Sequence, residues 1–218
     1  MSRNELSRAR ASLAIASLAL GLIGCATSGP SRSAKTVATM DETHERLTRL
    51  RGQIDKTQAS LENLMRAGAD NLKPSFGRYT KDVAELKSDG ESTKARFKNM
   101  KSQKETYLAA WEKKPVHDAE LQKIGRERRS ELNASLDRVV DAVNTASDAF
   151  DPFLSDVVDI QRVLGSDLTA ASQALVARSA AVQRSGENGA RATRSIDIAL
   201  ASLSEVAGQI SPTGSMKK

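Results

Sequence analysis

One cysteine, one tryptophan and two histidines are all that 218 residues hold of the side chains most used for redox, stacking and metal chemistry. A single thiol excludes a disulfide within the chain. Aromatic residues make up 3% of the composition, there are five prolines, and β-branched residues do not cluster, all of which argues against sheets. No Gly-rich phosphate loop, HExxH, GxSxG or CxxC occurs. His44 has Glu45 beside it and Met40 four residues before it, but no second ligand at a metal-like spacing, so it reads as a solvent-facing helix residue. His117 precedes Asp118 at an expected helix start, where the carboxylate complements the helix dipole. The expectation is therefore no enzyme, with no catalytic, cofactor-binding or metal-binding residues, no cofactor and no small-molecule substrate.

What is present begins with a leader. Arg3, Arg8 and Arg10 stand against one acid, Glu5, and Ala11 to Gly24 is then free of charge. A basic start followed by about 14 mostly apolar residues has the form of a secretory signal segment. It falls short of the roughly 20 residues of a membrane-spanning helix. The run ends Leu22-Ile23-Gly24-Cys25, which resembles a bacterial lipobox. That likeness implies recognition of Leu22, Ile23 and Gly24 by the lipoprotein signal peptidase. It also implies a diacylglyceryl group on the Cys25 sulfur and an acylated (palmitate-type) new amino terminus. Two or three acyl chains make release from a membrane rare. Ala26 follows Cys25 in place of an aspartate of the inner-membrane retention type, so in a cell with two membranes the periplasmic face of the outer one is favoured.

Four expected regions follow: a signal peptide at 1–24, a lipidated tether at 25–33, a helical domain at 34–210 and a disordered tail at 211–218. Without the leader, 194 residues remain with a net charge of +4, enough for one domain with a full core.

Apolar residues in this domain recur at helical, coiled-coil-like spacing. In a first segment, about 34–72, Met40, Leu47, Ile54, Leu61 and Gly68 recur every seven residues, with Thr43, Leu50, Thr57 and Leu64 between them. Pro74 disfavours helical geometry in its predecessor and is expected to follow the break at 69–74. A second segment, about 75–114, carries Phe76, Val83, Gly90, Phe97, Lys104 and Trp111 in one series and Tyr79, Leu86, Thr93, Met100 and Tyr107 in the other. Its aromatic stripe is expected to be core. In the third, about 117–164, Leu132, Leu136, Val139, Val143, Ala146 and Phe150 continue in phase through Pro152 to Phe153, Val157, Ile160 and Leu164. Unbroken phase across a proline indicates a bent helix. Gly165 and Asp167 are then expected to end one helix and cap the next. A fourth, about 167–207, repeats Leu168, Leu175, Val182, Gly189, Ile196 and Leu203, with Gly186 and Gly189 marking either a close helix approach or a break.

The fold expected is all-α: an elongated antiparallel bundle, or long hairpin, of about four helices with coiled-coil seams, each roughly 60 to 70 Å long. Whether the second and third segments fuse is open at this point. Residues 130–167 carry a net charge of −6, between 81–129 at +4 and 168–218 at +3. Alternation of this kind fixes helix pairing within one chain.

The run "LNASLDRVVDAVNTASDAFDPFLSDVVDIQRVLGSDLTAASQALVARSAAV" resembles the bacterial domain-of-unknown-function family 2959. Members carry a Pro-hydrophobic-Leu motif on a helix, then a charged stretch ending in leucine and a short turn. Pro152-Phe153-Leu154 and the turn from Leu164 to Leu168 occupy those places, and Trp111 falls where the family often has a Glu-Trp pair. Gly165-Ser166-Asp167 stands where the family usually has Lys-His-Asn. The resemblance covers about residues 35 to 208. It implies a helical, envelope-associated protein and brings no catalytic residues.

The expected function is structural or interactive: a lipid-anchored helical rod that binds an envelope protein or itself. The alternative is a module that binds the cell wall or an anionic membrane. Lys217-Lys218 resembles the end of lipoproteins that join a last lysine to peptidoglycan, and Lys94, Lys98, Lys101, Arg126, Arg128 and Arg129 form basic clusters. Nucleic acid is not an expected partner of an exported chain, despite the basic balance.

Overall fold

In the computed structural model the residues described are 29–111 and 116–211. Their regular structure is helical throughout: α1 (Gly29–Met65), α2 (Ala69–Ala109), α3 (Ala119–Ser166), α4 (Ala170–Ala177) and α5 (Ala180–Ile210).

The four long helices form an up-down-up-down bundle in which α1 packs on α2, α2 on α3, α3 on α5 and α5 back on α1. Side-chain pairings give the direction of each contact. Glu42 meets Arg96 and Gln53 meets the Asp82 carbonyl, so α1 and α2 run antiparallel. Lys104 with Asp137 and Lys94 with Asp151 do the same for α2 and α3. Arg51 with Asp197 and Gln58 with the Gly186 carbonyl close the ring between α1 and α5. Helix α3, at 48 residues, is about 72 Å long.

The seams lie inside. All eight α1 residues of the two series, and all ten apolar residues of α3 named above, are buried. Threonines at seam positions settle their hydroxyls on the turn before: Thr43 donates to Thr39 O, Thr57 to Gln53 O and Thr93 to Asp89 O. Lys104, the one charge in the α2 seam, is largely covered and meets Asp137, which also accepts from Asn133 Nδ2. The α2–α3 ion pairs follow the charge alternation of the sequence. Exposed pairs of this type are worth about 0–1 kcal/mol each, so they fix register more than stability.

Several boundaries differ from the periodicity. Helix α1 starts at Gly29, not Ala34, so residues 29–33 are helical and not tether. Pro30 sits in the first turn, where its missing N–H costs nothing, and Ser33 Oγ donates to Pro30 O. The first break comes at Arg66–Gly68, and Pro74 lies inside α2 as its sixth residue. The bond it cannot donate is to Asp70 O, at the solvent-exposed helix start. Helices α2 and α3 are separate: α2 ends at Ala109, and Asp118 caps α3 by accepting from Leu121 N. Pro152 is inside α3 with the apolar phase intact on both sides. Thr169, not Asp167, caps the next helix, accepting from Ser172 N.

The fourth segment is two helices, broken at Arg178–Ser179. Leu175, on the seven-step series, is consequently 74% exposed, because the break rotates α4 out of α5's register. Gly186 and Gly189 are both helical. Gly189 marks a close approach: a Cβ there would meet Gln58 and lie 3.1 Å from Phe153.

Candidate functional site

Cys25 and its flanking Leu22, Ile23 and Gly24 lie outside the described residues. The described structure bears on them in one respect. Three residues separate Cys25 from Gly29, where α1 begins, and the four residue steps reach at most about 14 Å in any conformation. A lipid on Cys25 would therefore hold one particular end of the bundle.

That end is built from the start of α1, the end of α2, the start of α3 and the end of α5. Thr36 contacts Gln103 and Lys104 meets Asp137, so antiparallel registry sets Gly29 level with Ala110 and with residue 131 of α3. Helix α3 continues past that level to Ala119, twelve residues or about 18 Å. Leu132 is its first buried residue, and Leu121 and Ile124 are 58% and 53% exposed. Val116, just before α3, and Trp111, level with about residue 130, are exposed as well. The expected core stripe of α2 thus ends at Tyr107, since Trp111 stands past the helix end with its ring edge-on to Tyr107 at 6.4 Å. An open groove of about 320 Å³ in this region is lined by Leu108, Arg126, Arg129, Ser130 and Asn133.

Elsewhere the polar groups are used structurally. Tyr79 is fully buried and donates its hydroxyl to Val157 O at 2.7 Å. Burial pushes its phenol well above the usual tyrosine range, so it keeps its proton and offers no base. Lys56 reaches Glu85 at 2.7 Å and the buried Asp82 at 3.0 Å. Hydrogen bonds to Glu85 and Asp82 hold its ammonium above the usual lysine range, which is the wrong direction for a nucleophilic amine. Lys56 in turn holds the Glu85 carboxyl below its usual range. Burial raises the Asp41 carboxyl, with His44 opposing and Glu45 adding to the rise. A small apolar cavity between the four long helices, with Leu50, Gly90, Phe150 and Ile196 in its lining, holds about 30 Å³. That is room for a water and far short of the few hundred Å³ of a ligand pocket.

His44 is half-buried on α1 and His117 is exposed just before the Asp118 cap, far apart in the registry. Among the described residues no three His, Cys, Asp or Glu side chains gather as a metal site would. The basic clusters part company: Lys94 pairs with Asp151, Lys101 lies 4.8 Å over the Phe97 ring, and Arg128 donates to Gln209 O. Arg126 and Arg129 line the groove at the α3 overhang. No described helix is long and apolar enough to cross a membrane. The exposed α3 overhang is the feature that periodicity alone misses. Its signal in the sequence is Leu121 and Ile124 standing upstream of the unbroken series that starts at Leu132.

No family model, curated protein or solved structure matches this chain.

Proposed function

We propose that this chain is a lipid-anchored, non-catalytic protein of the bacterial cell envelope. The signal segment 1–24 is removed, Cys25 carries the lipid, and the helical bundle stands on it as a rod that binds an envelope protein or a second copy of itself. The observation that carries this reading is the lone cysteine at the end of an uncharged run, four residues ahead of a long closed bundle. The resemblance to the uncharacterised family 2959 agrees with it, as does Ala26 with placement at the outer membrane.

The cell-wall alternative through Lys218 is less favoured by geometry. Helix α5 ends at Ile210 on the same end of the bundle as Gly29, so the chain returns toward its own anchor and not across toward a wall.

Metabolic labelling with palmitate in the native host tests the anchor. Label should enter the wild-type chain and hold it in the membrane fraction, and Cys25→Ser should lose both. Equal labelling of the Cys25→Ser chain, or none in the wild type, would overturn the assignment. Crosslinking in intact cells then reads the interaction half: a reproducible partner or a crosslinked homodimer is expected.

A further inference from the structure

We infer that α4 is a strap with two positions. In the observed one it folds over the end of α1, and in the other it joins α5 as one helix from Ala170 to Ile210. Neither position depends on the lipid at Cys25.

The hinge is a single torsion. Arg178 keeps right-handed helical geometry (φ −93°, ψ −2°), and between it and α5 only Ser179 is extended (φ −74°, ψ 147°). Turning that ψ to about −42° would join the two helices. Nothing local fixes the bend. No proline or glycine lies between Thr169 and Ser185, and alanine, the strongest helix former, is the commonest residue there. Ser179 is of a type that caps helices, yet its hydroxyl donates back to Val176 O at 2.7 Å and leaves the first N–H groups of α5 without a side-chain acceptor. Asp118 and Thr169, by contrast, do cap α3 and α4. In the joined helix the open N–H groups would bond to carbonyls of α4.

The apolar pattern fits the joined helix. Leu168, Leu175, Val182, Gly189, Ile196 and Leu203 repeat every seven residues straight across the bend. Gly189, Ile196 and Leu203 are buried and Val182 is half-buried against the core, but Leu175 is 74% exposed. Joining returns Leu175 to the face of α5 that carries Gly189 and Ile196. The connection to α3 is long enough for this. Arg184 and Asn188 both reach Asp156, so Ser166 is level with about residue 176. Ala170 of the joined helix would stand about 9 Å further along and one helix spacing, about 9 Å, to the side. That separation of about 13 Å is within the roughly 14 Å that four residue steps can span.

The clasp on the observed position is small. Gln173 Nε2 donates to Leu64 O and Ala67 O, and Leu168 and Val176 are half-buried against the core. The bend thus sets one buried amide against open N–H groups and an exposed leucine, the near balance that a two-position element requires. When joined, α4 forms the solvent-exposed first turns of α5 and leaves the end of α1 uncovered.

Spin labels at Ala174 and Ile198, both exposed, read the position by pulsed electron resonance in a full-length Cys25→Ser chain. In the joined helix the two backbones stand about 36 Å apart, and in the bent form they are closer. The chain should show mainly the shorter separation. Gln173→Ala with Ser179→Ala removes the clasp and the hydroxyl bond to Val176 O, and should raise the long-to-short ratio about tenfold or more. Ala180→Pro should leave the shorter separation alone. Proline suits the first position of α5 as it stands, favours the extended Ser179 and cannot follow α4 in one helix. Hydrogen exchange of α3 on the same chains shows whether the bundle is intact.

One shorter separation in every chain, the double variant included, overturns the inference, because α4 then has a single position. A separation near 36 Å that survives Ala180→Pro overturns it as well. So does a broad spread of separations in the double variant, which would mean that a released α4 unfolds without joining α5.

Discussion

Gly90 of α2 faces Phe150 of α3 so closely that a Cβ there would come within 2.7 Å of the ring. Glycine in a helix ordinarily costs about 1 kcal/mol relative to alanine, and here it is the condition for the two helices to meet. Gly90→Val is expected to destabilise the fold by about 2 kcal/mol through overpacking, seen as a lower urea midpoint at unchanged slope. Gly52 is exposed with open space around its Cα, so Gly52→Ala should move the midpoint up, by about 0.5–1 kcal/mol. Equal effects at both sites would refute the close approach. The seven-residue series marks Gly90 as a seam position. It cannot reveal the ring opposite, because Phe150 is 60 residues away in the chain.

Asp41 sets a pH dependence of definite sign. One carboxylate oxygen is buried with no hydrogen-bond partner among the described residues, and burial raises the folded-state affinity for its proton. The folded state then binds more protons than the unfolded one between the ordinary aspartate value and the raised one. That contribution to stability is complete below the ordinary value and is lost as pH rises through the raised one. Asp41→Asn should match the wild type at low pH and be the more stable chain at neutral pH. Thermal melts at the two pH values read the difference. An Asp41→Asn chain that is less stable at neutral pH would contradict the assignment.

At the scale of elements, α4 shows how little periodicity says about a short helix. Its only buried residue is Gln173, whose Nε2 donates to Ala67 O and to Leu64 O, the latter shared with Ala67 N, at the end of α1. Leu175, the residue the heptad series selects, faces solvent. A short helix held by one buried amide and the half-buried Val176 should open locally. Gln173→Ala is expected to speed hydrogen exchange of amides 170–177 at least tenfold, equivalent to about 1.4 kcal/mol, while α3 amides keep their protection. Unchanged exchange in α4 would show that something else holds it.

Helix α3 was the most legible because its apolar residues repeat without fault: every residue of its series from Leu132 to Leu164 is buried. Boundaries were less so, and the reason is local. Pro74 reads as a break and Pro30 falls in the expected tether, yet each stands near a helix start, where a missing N–H removes little or nothing. The split at Arg178–Ser179 has no proline or glycine to announce it. Only the change of face between Leu175 and Gly189 does so, and that is visible once α5 has a partner.

For the molecule as a whole, antiparallel order decides what lies where. An even number of long helices returns the end of α5 to the end where α1 begins, and the α2–α3 connection arrives at that same end. The exposed apolar residues Trp111, Val116, Leu121 and Ile124 therefore all lie toward the end of the bundle where α1 begins, although more than 80 residues from Gly29 in sequence. Sequence reading supplied the anchor and the rod as separate expectations. Their relation follows from registry, which no local pattern encodes. In the proposed anchored bundle, the far end, with α4 and the α1–α2 turn, is the end away from Cys25.

The most direct measurement is the intact mass of the mature protein isolated from its own host, with sequencing from its amino terminus. The chain should begin at position 25 and carry a diacylglyceryl mass on Cys25, with or without a further acyl group on the new amine. A mature product that begins at another residue, or that begins at Cys25 with an unmodified thiol, would contradict the anchor.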